Sequence, residues 1–129
     1  LVHNNLPFIS FADVTKILPK LSNEAELGIF SQGFLGLQLA KLWFHGYKNY
    51  FSKNQIYIDL NKLALLKEIA TKNKDRRITI IDNQPGIIQG VEKSGFGINT
   101  ILIDRKSKYP SYQGKKLNDF FPLTNWPGD

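Results

Sequence analysis

Ser31, Lys62 and Asp82 bring a hydroxyl, a cation and a carboxylate, polar groups that could line a ligand site. Their places along the chain suit that work. Ser31 follows the apolar run Leu27 to Phe30, and Lys62 stands where a helix should start. Asp82 follows Ile78 to Ile81, a run that is β-branched at every position. If the strands are parallel, all three residues point into one crevice at the strands' C-terminal edge, where open α/β sheets bind ligands. A lysine at a helix N-terminus opposes the macrodipole, and an anion bound beside it would reverse the sign. Each residue also has a plain reading. Serine ahead of Gly33 and a helix is a common N-cap, and Asp82 or Asn83 can cap the helix that holds Pro85. A chain this rich in lysine will also place one at a helix start by chance.

The segment Arg77 to Arg105, RITIIDNQPGIIQGVEKSGFGINTILIDR, has the pattern of a βαβ unit. Pro85 suits the first helical position, Ile87, Ile88 and Val91 recur at helical spacing, Gly95 supplies a stop, and Thr100 to Ile103 is a second strand. Upstream, Ser10 and Asp13 resemble a capping box and predict a helix from Phe11 to about Lys20, trimmed by Pro19, with Ser22-Asn23-Glu24 as a polar connection. Leu35, Leu39, Leu42, Trp43 and Gly46 predict a helix from Phe34 to His45. Gly46 to Gln55 reads as a loop with Tyr47, Tyr50 and Phe51 tucked in, followed by a strand Ile56 to Ile58. Asn61 then caps a helix that begins at Lys62 and buries Leu63, Leu66, Ile69 and Ala70, and the basic run from Thr71 is a solvated turn. After Ile103 the chain turns polar, and the apolar residues of KLNDFFPLTNW either dock a last short helix or cover the sheet. Four strands alternating with helices predict one α/β domain over 1–129 with a mostly parallel sheet.

A chain of 129 residues with 42% hydrophobic content suffices for one core. It has no apolar run near the roughly 20 residues that span a bilayer, and no cleavable leader pattern, so a cytoplasmic address is expected. No cysteine is present, and two isolated histidines make no conventional zinc site. The charge of +6, from 17 basic and 11 acidic residues, favours anionic ligands but is spread along the chain, so nucleic acid is not indicated. Neither GxxxxGK[ST] nor GxGxxG after a strand occurs.

Taken in order, GIFSQG, then Lys62 ahead of LALLKEI, then ITIIDNQPGIIQGVEKSGFGINTILIDR resemble the second, third and fourth motifs of the haloacid dehalogenase-like hydrolases, over about residues 11 to 105. The resemblance implies a Rossmann-like three-layer α/β/α fold and Mg²⁺-dependent phosphoryl transfer. It assigns binding of the phosphoryl group to Ser31 with Gln32 and Gly33, and charge neutralisation to Lys62, with Lys67 the fallback. It assigns metal binding to Asp82 with Asn83 beside it. The implied partner is phosphate or a phosphorylated small molecule. Many members carry a second acid where this chain has Asn83 and Gly86, which lowers the expected metal affinity.

The larger departure is the family's first motif, a buried strand ending in DxD that supplies the aspartate nucleophile. Nothing here matches it. Asp13 in FISFADVT has Thr15 two residues on. The expectation is therefore a core that lacks or substitutes its central strand: a fragment without its N-terminal part, a degenerate member, a chain whose LPFISF run fills the gap, or one completed by a second polypeptide. The alternative reading is a non-catalytic phosphate-binding or partner-binding domain. IIDNQPGII also looks like the start of a response-regulator receiver domain, but too few residues follow for that fold.

Overall fold

The computed structural model describes residues 12–33, 46, 48–119 and 122–123. By its internal packing the chain divides into two units, Leu1–Leu60 with Phe120–Asp129, and Asn61–Asp119. The expected helix from Phe34 to His45, the Ser10 cap, the LPFISF run and Tyr47 lie outside the described residues.

In the first unit, helix α1 (Ala12–Glu24) leads to strand β1 (Ile29–Gln32). Two 3₁₀ turns, Lys48–Tyr50 and Lys53–Gln55, precede strand β2 (Ile56–Asp59). The helix does not end near Lys20 but runs through Pro19, so Ser22-Asn23-Glu24 is its last turn rather than a connection. Proline removes one helical donor. Pro19 sits on the exposed side, where water can serve the carbonyl left over, while Ile17, Leu18 and Leu21 are buried opposite. Ser22 Oγ also donates to the Pro19 carbonyl at 2.9 Å. Strands β1 and β2 are parallel, with Ile29 opposite Ile56 and Ser31 opposite Ile58. Leu27, Ile29 and Ser31 form one buried row, as alternation requires, so Ser31 lies within the strand rather than after it. Phe51 is buried in the following segment, as expected.

The second unit opens with a 3₁₀ turn, Lys62–Leu65, and continues as helix α2 (Leu66–Lys72). Strand β3 (Thr79–Asp82), helix α3 (Pro85–Lys93) and strand β4 (Asn99–Ile103) form the expected βαβ unit. Helix α3 packs against both strands, and its Ile88 and Val91 are almost wholly buried with Ile101, Leu102 and Ile80. Beyond its last turn Gly95 takes a φ of 79°, a left-handed conformation that glycine adopts without steric cost. Strands β3 and β4 are parallel, with Asp82 opposite Leu102.

A fifth strand, β5 (Lys116–Leu117), pairs in parallel with β4, where the sequence suggested a helix or a loose cover. Among the described residues the strands fall into two hydrogen-bonded sheets, β1-β2 and β3-β4-β5, and every pairing is parallel. No described helix is long and apolar enough to cross a membrane.

Candidate functional site

The stripe buried at the start of the second unit is Lys62, Leu66, Ile69 and Asn73, at intervals of four, three and four. The expectation placed Leu63 there; instead Leu63 is 37% exposed and Lys62 is inside. Helical spacing admits either residue ahead of Leu66, and Lys62 can take the inner place because a carboxylate meets it. Lys62 Nζ donates to Asp82 Oδ2, and the two side chains retain only 6% and 3% of their exposure. Asn61 occupies the N-cap position without a side-chain cap bond, and its carbonyl accepts the Ala64 N–H at 3.2 Å. Leu63 is not idle. It lies against helix α3, close enough that a Cβ added to Gly90 would stand 2.6 Å from its Cδ1. The turn that carries Lys62 is thus set against the helix that follows Asp82.

Asp82 is the last residue of β3, and its second oxygen, Oδ1, accepts the Gln84 N–H at 2.9 Å. The cap reading of Asp82 is therefore partly right. The residue orders the turn into α3, although Gln84 holds the N-cap position and makes no side-chain cap bond. Asn83 is half-buried just beyond, and Lys67 is exposed on α2. The structure thus brings together Lys62 and Asp82, two of the three residues singled out by type and spacing.

Ser31, Gln32 and Gly33 belong to the other unit. Ser31 is buried, Gln32 is exposed and ends β1 opposite Asp59, and Gly33 has a φ of 135°. The Gly33 N–H donates to the Asp59 carbonyl at 3.1 Å, so in this conformation the glycine serves the strand ending. Asp13 lies in the first turn of α1.

A second buried acid went unnoticed in the sequence. Asp104 follows β4 and is 2% exposed, and its carboxylate accepts the N–H groups of Lys108 and Tyr109 at 2.8 and 2.9 Å. Lys116 Nζ stands 3.8 Å away. The signal that marks Asp82, an acid closing an apolar strand, is present again in ILIDR.

A buried, paired ammonium beside the end of a strand is already withdrawn from water. It can meet an anion without paying again for its own desolvation. That is an electrostatic capacity, and it does not select a reaction.

No family model matches the chain, and no curated protein does. A solved structure does match: a candidate haloacid dehalogenase-like hydrolase from Burkholderia xenovorans LB400, with a TM-score of 0.73 at 15% identity over 90% of this chain. This chain spans 57% of that protein's length. At such identity the likeness establishes the fold alone, an α/β Rossmann-like one shared with that protein.

Proposed function

We propose that this chain is the phosphate-handling part of a haloacid dehalogenase-like phosphohydrolase. The observation that carries the reading is the buried Lys62–Asp82 pair at the C-terminal end of β3. A desolvated ion pair is weak evidence for stability, which leaves a role in binding open to test. In this reading Lys62 neutralises a bound phosphoryl group. Asp82, with the Asn83 side-chain carbonyl, holds Mg²⁺. The residues fit that ion as part of a ligand set, since each Asp82 oxygen accepts one hydrogen bond and keeps a lone pair. Magnesium is often held by one or two carboxylates, with water and phosphate completing the shell. When bound it would supply positive charge against the phosphate oxygens.

The aspartate nucleophile of such chemistry has no counterpart in this sequence, so turnover would need a segment or partner that provides it. The test is vanadate or phosphate titration with and without Mg²⁺. Replacing Lys62 by Ala should weaken binding by about 1–3 kcal/mol, the range for a lost charge-assisted hydrogen bond. Equal affinity of the two proteins would remove Lys62 from the site.

A second reading, a non-catalytic phosphate-binding or partner-binding domain, is favoured by the engagement of both Asp82 oxygens by donors of this chain. Among the described residues no group of three His, Cys, Asp or Glu side chains could hold a metal. Anion binding that is indifferent to Mg²⁺ would select this reading.

A further inference from the structure

Residues 105–115, which join Asp104 to β5, carry four cations and no acid, and none of them is buried. Apolar burial therefore does not fix their path. Asp104 is engaged with that segment and with β5 through every polar group it has. Its carboxylate accepts the Lys108 and Tyr109 N–H groups, and its carbonyl accepts the Ser107 N–H at 3.3 Å. Its own N–H donates to the Leu117 carbonyl at 2.8 Å. Lys116 reaches back to the same place: its Nζ donates to the Tyr109 carbonyl at 2.9 Å and lies 3.8 Å from Asp104 Oδ2. Ser107 turns the chain with a φ of 52°, the one non-glycine residue in the left-handed region among the described residues. β5 itself is two residues long and half-buried, too short to hold itself to the sheet.

We infer that Asp104 is the positioning residue of a strap, residues 105–115, and that its carboxylate makes the strap and β5 one cooperative element. The strap leaves the sheet at the edge that carries Asp82, because β3 and β4 run parallel with Asp82 opposite Leu102. The inference goes beyond the phosphate reading and stands without it. A carboxylate that only fills space would leave the strap ordered by its own turns. A carboxylate that positions it must, on removal, release the whole element while the α3–β4 packing stays closed.

Amide hydrogen exchange on the full chain separates these cases. In Asp104→Asn the Lys108 and Tyr109 amides should exchange at least about tenfold faster, as expected for loss of a charge-assisted hydrogen bond. Trypsin should cut after Lys106 or Lys108 more readily, while the Ile88 and Val91 amides keep wild-type protection. Lys116→Met should loosen the same segment by a smaller factor, centred on Tyr109, and it decides the matter if Asp104→Asn fails to fold. Unchanged exchange at Lys108 and Tyr109 would overturn the inference. So would an equal rise at Ile88 and Val91, which would mean a general loss of stability. Phosphate binding is measured separately, and its absence in the wild type would count against the proposed function alone.

Discussion

Withdrawing an ammonium and a carboxylate from water costs several kcal/mol per ion, and the attraction between Lys62 and Asp82 must offset that before it adds any stability. Removing one partner is worse, because it strands a buried charge. Lys62→Met or Asp82→Leu alone should therefore cost about 3–5 kcal/mol in denaturant unfolding. The double variant should recover most of that loss or exceed the wild type, and a double variant as unstable as the sum of the singles would show that the two charges do not offset each other. Asp104 is a different kind of acid. Burial pushes its pKa up, but the hydrogen bonds from Tyr109 and Lys108 and the charges of Lys116 and Lys108 outweigh burial and hold it below the ordinary 3.8. A depressed carboxylate contributes stability that is complete above its unfolded pKa and is lost as pH falls through its folded one. The strap should thus stay closed through mild acid. Amide shifts of Lys108 and Tyr109 followed by NMR should titrate with a midpoint below 3.8, and a midpoint above it would mean that burial outweighs the hydrogen bonds and the lysine charges.

At the scale of elements, two glycines make opposite predictions from similar crowding. A Cβ at Gly28 would lie 2.7 Å from the Gln55 carbonyl oxygen, so backbone must move where β1 starts beside β2. Gly28→Ala should cost about 1–3 kcal/mol, as overpacking does. At Gly90 the obstacle is the far end of the half-exposed Leu63 side chain, which can swing away. Alanine in a helix interior gains up to about 1 kcal/mol over glycine, so Gly90→Ala should lie within about 1 kcal/mol of wild type in thermal unfolding. Such contacts are beyond reading from sequence, whereas the βαβ unit was legible because apolar period, Pro85 and Gly95 all mark the same boundaries. Helix α1 outran its expected end because the cost of Pro19 depends on which side of the helix it faces. Lys62 displaced Leu63 from the buried stripe because pattern rules assign lysine to solvent unless its partner, twenty residues on, is known. Strand β5 has two residues and no alternation to read; it exists through Asp104 and Lys116, whose pairing is likewise not local.

For the whole molecule, the question is what chemistry a chain spanning 57% of its structural neighbour can perform unaided. In the proposed reading Lys62 supplies a cation and Asp82 a carboxylate. These would stabilise charge on a phosphoryl group, but they provide no attacking atom. Covalent catalysis by an aspartate requires a carboxylate placed in line with the scissile bond, and charge stabilisation cannot replace it. Asp13 is the one acid near the start of the sequence, and it lies in the first turn of a helix rather than at the end of a described strand. We therefore expect the 129-residue chain to bind vanadate yet to leave p-nitrophenyl phosphate unhydrolysed, even with excess Mg²⁺. Turnover above a metal-free blank that persists in Asp82→Asn would place the reaction elsewhere on the molecule. Turnover abolished by Asp13→Asn would identify that residue as the nucleophile and overturn the expectation that the attacking carboxylate comes from outside this chain.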